Sequence, residues 1–336
     1  MRGKLLFLVM LTALSALSYR LGRRMDFSKG FAGTAFSGAA CVPDLGAATP
    51  SSLTGANPAR WNDMTARLGQ LAGRFPGRIG VYVKDISTGR DWEYHADEVF
   101  PSASLIKVPV MIGIFEKLRR NEIDLDDELV LKKGEKRGGS GNLRRLRYGT
   151  RLTVRQLVEK MITESDNTAT RMLVDHVGLE YLQERFARMG LKQTGIYPEG
   201  LSLSSLPVGR ENYTTPREMC MLLEGIYRGQ MVDKPSSESM LEIMRRVKTH
   251  SRFAKYLPRG WSLAHKTGML RLACHDVGVI SSPTGDYLLA VMTWKVPDYH
   301  FAANYISKMS NVTYKYYDYP QNSVAQGRSR RAAKNM

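Results

Sequence analysis

The segments that can pair as strands lie at the two ends of the folding region, and this constrains the fold more than any other feature. Near the start, Ile79-Gly80-Val81-Tyr82-Val83 alternates into Asp85-Ile86. Ser87-Thr88-Gly89 makes a turn, and Asp91-Trp92-Glu93-Tyr94 returns, which is a hairpin pattern. Strand signals come back only near residue 261, at Ser262–Thr267, Val277–Ser281 and Tyr287–Trp294. Residues 104–254 are mostly helical in pattern, clearest at Leu157–Ile162 running on through Leu173 and at Tyr181–Met189. Trp61, Met64, Leu68 and Leu71 recur at helical spacing before the first strand, and Phe301–Met309 is amphipathic after the last. This order predicts an α/β (α+β) protein. One antiparallel sheet is built from both ends, covered by the terminal helices, with an all-helical lobe inserted. No internal repeat is present.

Composition narrows the function. The chain has 336 residues, 43% apolar and 24% charged, which excludes a mostly disordered chain, a collagen or a coiled-coil rod. Three cysteines cannot form a disulfide framework, and no CxxC pair or His/Cys cluster suggests a metal site. No cofactor is expected. The net charge of +17 raises nucleic acid, anionic membranes and anionic substrates as partners. Its distribution argues against a nucleic-acid-binding domain. Residues 1–59 hold six basic and two acidic residues, and 319–336 hold four basic residues and no acid. Residues 132–155 hold nine basic residues against Glu135 alone. The rest is almost neutral.

The N-terminus reads Met1-Arg2-Gly3-Lys4, then an apolar segment from Leu5 to Tyr19. A basic start before an apolar core of roughly 7–15 residues fits an export signal. It is short for a span, which needs about 20. Ala16-Leu17-Ser18 supplies small residues for cleavage, whereas Arg20, Arg23 and Arg24 suit an uncleaved anchor. Residues 1–24 are therefore read as signal peptide or anchor, and 25–59, rich in small residues and Pro, as a flexible linker. Cys41 follows small residues but lies too far from the apolar core for a lipid-attachment site, and is taken as incidental. Residues 319–336 are read as a disordered basic tail.

Three short motifs carry the chemistry: Ser104-Leu105-Ile106-Lys107, Ser165-Asp166-Asn167 and Lys266-Thr267-Gly268. S-x-x-K alone should occur about once by chance in such a chain. The three in this order are far more specific, and they are the signature of class A β-lactamases and penicillin-binding proteins. Thr214-Thr215-Pro216-Arg217-Glu218-Met219, and Met161-Ile162-Thr163 leading to Ser165, are also family-like. Residues 60–318 thus resemble the class A β-lactamase-like serine hydrolases. The α/β part would be 60–103 and 256–318, and the helical lobe 104–255.

The residue types suit that chemistry. A serine hydroxyl needs a base nearby. Lys107 shares a helix face with Ser104. It can serve as the base if burial or a second cation such as Lys266 lowers its pKa. Pro109 falls where an interior helix N–H would be needed, so irregular first turns are expected. The resemblance implies the remaining roles. Ser165 passes a proton to the departing nitrogen, Asn167 holds a substrate amide, and Lys266 and Thr267 bind a carboxylate. Gly268 lets the strand edge approach the acyl group. The N–H groups of Ser104 and Met269 form an oxyanion hole.

Deacylation is where the sequence departs. Counting back from Pro216 puts the family's water-activating Glu at Glu199, but Leu203 stands where the family Asn would orient the water. Glu199 is either that base or an exposed loop carboxylate. The reading is an exported β-lactam hydrolase acting through an acyl-enzyme on Ser104. A peptidoglycan D-Ala-D-Ala peptidase, or a β-lactam-binding sensor that stays acylated, is the alternative. Its partner is a small β-lactam or a peptidoglycan stem peptide, with no nucleic acid, possible membrane anchoring through residues 5–19, and a monomeric state. Arg144, Arg145 and Arg147 either draw in anionic substrates or polymers or form a solvated surface. His275 and Asp276 either line the site or make structural hydrogen bonds. Cys220 is expected in the core, and strand alternation turns His265 to the sheet face opposite Lys266.

Overall fold

The computed structural model describes residues 58–202, 210–296 and 298–318. Its sheet has five antiparallel strands: β1 (Arg78–Asp85), β2 (Asp91–Tyr94), β7 (Ser262–Leu270), β8 (Ala273–Ser282) and β9 (Gly285–Trp294), in the order β2-β1-β9-β8-β7. β1 pairs with β9, Val81 opposite Val291, so the two ends of the chain join at the centre of the sheet. That junction is what the separated strand signals required.

Period-two alternation gives the sheet two apolar faces. Val81, Val83, Tyr287, Leu289 and Val291 pack with helix α1 (Pro58–Gly73) and helix α8 (Tyr299–Tyr317) through Leu68, Ile306 and Met309. Tyr82, Leu288, Ala290 and Met292 face the lobe instead. Each fully buried Leu or Val contributes about 1.5–3 kcal/mol. His265 lies opposite Gly278, and a Cβ at Gly278 would stand 2.8 Å from the His265 Cβ, so that strand crossing requires glycine.

The lobe contains α2 (Lys107–Arg119), α3 (Val154–Thr163), α4 (Asn167–Val177), α5 (Leu179–Arg188), α6 (Pro216–Tyr227) and α7 (Lys234–Arg245). Two expectations need correction. The lobe is not all helical: β4 (Glu128–Val130) pairs with β5 (Arg151–Thr153), and β6 (Tyr213–Thr214) pairs with β3 (Phe100–Pro101) of the α/β part. The helical run from Leu157 through Leu173 is two helices. It breaks at Ser165, whose φ of 54° lies in the left-handed region, and Asp166 caps α4 by accepting from the Ala169 N–H. The periodic apolar residues continue across the break because both helices bury one face in the same core. Cys220 is buried in α6 as expected. The proposed signal, linker residues 25–57, Cys41 and the tail lie outside the described residues, whereas the last two residues of the 25–59 linker, Pro58 and Ala59, already belong to α1. Among the described residues, no helix is long and apolar enough to cross a membrane.

Candidate active site

The nucleophile candidate sits on a short 3-10 turn, Ala103–Ile106, which runs directly into α2. Pro109 falls in the first turn of α2, so the irregular helix start follows. In a 3-10 turn residues i and i+3 eclipse. The Lys107 N–H donates to the Ser104 carbonyl in that pattern, stacking the S-x-x-K residues over one another. Ala103, immediately before, has φ 49°, a strained position worth about 1–3 kcal/mol.

Two contacts hold that strain. The Ser102 N–H donates to the Asn212 carbonyl at 2.7 Å. From the sheet side, β7 presses Gly268 against the turn. A Cβ there would lie 3.1 Å from the Ser102 carbonyl oxygen and 3.2 Å from the Ala103 Cβ. Gly268 therefore allows strand and nucleophile turn to meet, a role the resemblance did not supply. His275 fixes the same corner. Its Nε2 donates to the Pro101 carbonyl at 2.8 Å and its Nδ1 accepts from the Thr293 N–H at 3.1 Å. Burial pushes its pKa down to about 4, so the ring is neutral.

The three motifs converge, although 101 residues separate Ser165 from Lys266. Lys107 Nζ donates to the Ser165 carbonyl at 2.6 Å and to Asn167 Oδ1 at 2.8 Å, and stands 3.1 Å from Ser165 Oγ. Lys266 Nζ stands 3.1 Å from the same Oγ and 2.9 Å from the Thr267 carbonyl. Both ammonium groups are fully buried. Burial, reinforced by Lys266, holds the Lys107 pKa well below the ordinary lysine range. Burial, then Arg252, lowers Lys266 to about 7. Lysines depressed in this way can exchange protons near neutrality.

A cavity of about 430 Å³ opens beside them, lined by Ser104, Ser165, Lys266, Thr267 and Met269 among others. Met269 is half exposed at its mouth. Asn167 is fixed from the lobe side: its Nδ2 donates to the Gly138 carbonyl and its N–H to the Ser140 carbonyl. The loop 138–142 is therefore tied to S-D-N, and its Ser140, Gly141 and Asn142 line the cavity. Asp166 is buried beneath, accepting from the Leu143 N–H at 2.9 Å. Gly141 has φ 90°, and a Cβ there would fall onto the Asp166 carboxylate.

Glu199 is not brought to this cavity. It is exposed, on the turn before a 3-10 segment at Gly200–Ser202, and does not line the cavity. Glu164 is the one carboxylate among the lining residues, and it is taken up by Lys248 at 2.6 Å and Lys160 at 3.4 Å. His275 and Asp276 do not line the cavity either. Asp276 bonds His265 Nδ1 at 2.8 Å and accepts from the Phe253 N–H. Arg144, Arg145 and Arg147 are exposed and outside the lining.

Sequence reasoning missed Arg252. It is buried, with φ 58°, and lines the cavity beside Lys266. Its Nε donates to Cys274 Sγ at 3.2 Å and a terminal nitrogen to the Tyr299 hydroxyl at 3.3 Å. No motif marks it, because a 3-10 turn at Arg252–Tyr256 brings it in from outside the three signatures. Among the described residues, no His/Cys/Asp/Glu group is placed to hold a metal.

Fold and site together define an active-site serine hydrolase. The β-lactamase enzyme family matches this chain over residues 63–317, and the chain belongs to that family. It is 31% identical over 275 residues to a β-lactamase of Streptomyces fradiae, covering 78% of this chain and 87% of that one. A β-lactamase of Streptomyces albus G is 29% identical over 279 residues, covering 79% and 87%. A crystal structure of a β-lactamase from Sphaerobacter thermophilus superposes with a TM-score of 0.70 at 29% identity, over 76% of this chain and 97% of that one. A point mutant of PBP-A, solved as an acyl-enzyme complex with penicillin G, superposes at 0.72 and 27% identity, over the same shares.

Proposed function

We propose that this protein hydrolyses β-lactams through an acyl-enzyme on Ser104. The observation that carries this is the meeting of two buried, pKa-depressed lysines at Ser165 Oγ, in a cavity lined by Ser104. Neutral Lys107 takes the Ser104 hydroxyl proton as Oγ attacks the lactam carbonyl. The ring C–N bond breaks, and Ser165, bonded to Lys107, passes the proton to the departing nitrogen. The N–H groups of Ser104 and Met269 hold the developing oxyanion, a donor pair of which each member is worth about 2.7–4 kcal/mol. Asn167 orients the substrate amide. Lys266 and Thr267 take the carboxylate, with Arg252 added to that subsite. Water then releases the acyl group. Export through residues 5–19, with cleavage or anchoring, belongs to this proposal and rests on the N-terminal pattern alone.

A second reading is favoured by the exposure of Glu199 and the lysine-bound state of Glu164. With no unpaired carboxylate among the described residues that line the cavity, the acyl-enzyme persists, as in a penicillin-binding protein. One experiment separates the two. The chain is incubated with a chromogenic cephalosporin and with a fluorescent penicillin, beside Ser104→Ala and Glu199→Ala. Turnover abolished by Ser104→Ala supports hydrolysis through Ser104, and a sharp loss in Glu199→Ala as well would make that carboxylate the water-activating base. Stable label on Ser104 with little turnover supports the second reading. Unlabelled protein without turnover refutes both.

A further inference from the structure

The loop that supports S-D-N also carries the strongest local charge in the chain. Of its nine basic residues, Arg151 pairs with Glu128 and Arg155 with Asp126. Lys132, Lys133, Lys136, Arg144, Arg145 and Arg147 have no carboxylate partner among the described residues. The single acid, Glu135, accepts the Lys132 N–H and leaves the stretch strongly positive. A surface that serves solubility alone intersperses both signs; this one has a single sign.

The charges are held in place. The Arg137 N–H donates to Thr168 Oγ1 at 3.0 Å, Asn167 to the Gly138 carbonyl, and the Leu143 N–H to Asp166. A 3-10 turn at Leu143–Arg145 follows, with Leu143 buried and both arginines exposed. A fixed row of unneutralised cations beside a cavity mouth concentrates anions there.

We infer that residues 132–147 dock a flexible phosphate-rich polyanion along the rim of the cavity, beside Ser140–Asn142. Arginine forks bind phosphate oxygens bidentately. An anionic lipid surface attracts such charge, but stable anchoring there needs a second, apolar signal. The stretch exposes one large apolar residue, Tyr148, and Lys136 sits 4.1 Å over its ring. Single-stranded nucleic acid relies on successive aromatic platforms for stacking, and the stretch presents one ring, already shared with Lys136. What remains is recognition by charge along a chain.

The test uses the full chain, so that the basic ends stay constant, with fluorescein-labelled long-chain polyphosphate as probe. Arg144→Gln/Arg145→Gln/Arg147→Gln is expected to weaken binding about tenfold or more at low salt. It should also reduce the slope of log K against log[salt] by about two, since each single-chain phosphate contact contributes about 0.7. Labelling of Ser104 by fluorescent penicillin checks that the variant is folded. Equal affinity and slope in the native chain and the variant would overturn the proposal and assign the charge to the ends. Stronger competition by phosphatidylglycerol vesicles, or by an oligonucleotide of equal charge, than by unlabelled polyphosphate would overturn it in favour of those partners.

Discussion

Lys107 and Lys266 meet at one oxygen: each ammonium nitrogen stands 3.1 Å from Ser165 Oγ. Burial lowers the pKa of both, reinforced at Lys107 by Lys266 and at Lys266 by Arg252. The acylation rate should therefore be bell-shaped in pH. The acid limb reports protonation of Lys107, which disables the base. The alkaline limb reports loss of the Lys266 proton near pH 7 in the free enzyme, which removes a charge from the carboxylate subsite. Arg252→Met removes a cation that lowers Lys266, so the alkaline limb of kcat/KM should move to higher pH. Stopped-flow acylation from acid to alkaline pH measures both limbs; an unmoved alkaline limb would separate it from Lys266.

Gly268→Ala places a methyl against the His275 ring, the Ser102 carbonyl and the Ala103 Cβ. Overpacking of this kind costs about 1–3 kcal/mol. Because the clash falls on the nucleophile turn, acylation should slow by about ten- to a hundredfold while the fold survives. Comparing penicillin labelling rates with the denaturation midpoint separates the two effects.

Asp166→Asn keeps the size of the side chain but loses one of two acceptors. Either the Ala169 N–H or the Leu143 N–H is left without its bond. A buried hydrogen bond to a charged group contributes about 1.5–3 kcal/mol. Urea denaturation should show a loss of that order, and amide exchange should quicken in residues 138–143 before the rest of the lobe.

His275 makes stability depend on pH. Its folded pKa, down at about 4, lies below the unfolded value of about 6.5. The unfolded chain therefore binds the extra proton between those values, and stability is lost as pH falls from about 6.5 to 4. His275→Asn should flatten that part of the stability curve relative to the native chain. Chemical denaturation at neutral pH and at two points down to about pH 4 reads the difference, and parallel curves would exclude His275 as the source.

Much of this was legible beforehand. The hairpin at 78–94, the three C-terminal strands and both covering helices follow from period-two and 3.6-residue patterns, which burial imposes directly. The interruption at Ser165 was not legible, because a left-handed serine leaves no periodic trace. Nor was the β4–β5 ribbon, whose three-residue strands are too short to alternate visibly. At the site, Ser104, Lys107, Ser165, Asn167, Lys266, Thr267 and Met269 were nominated from motifs, and they converge. Glu199 was nominated by counting residues back from Pro216, and the structure leaves it exposed and outside the cavity lining.

The order of residues alone determined which elements form and which side chains have nucleophilic, basic and carboxylate-binding chemistry. Those properties depend on neighbours within a few positions. Tertiary structure decided the rest. It brought Lys266 onto Ser165 across 101 residues, placed Arg252 in the cavity and kept Glu199 out of it. It also made Gly268 a point of contact between strand and nucleophile turn. Each of these is set by the packing of lobe against sheet. The free energy of that packing is shared among dozens of buried side chains, so no short stretch of sequence encodes it.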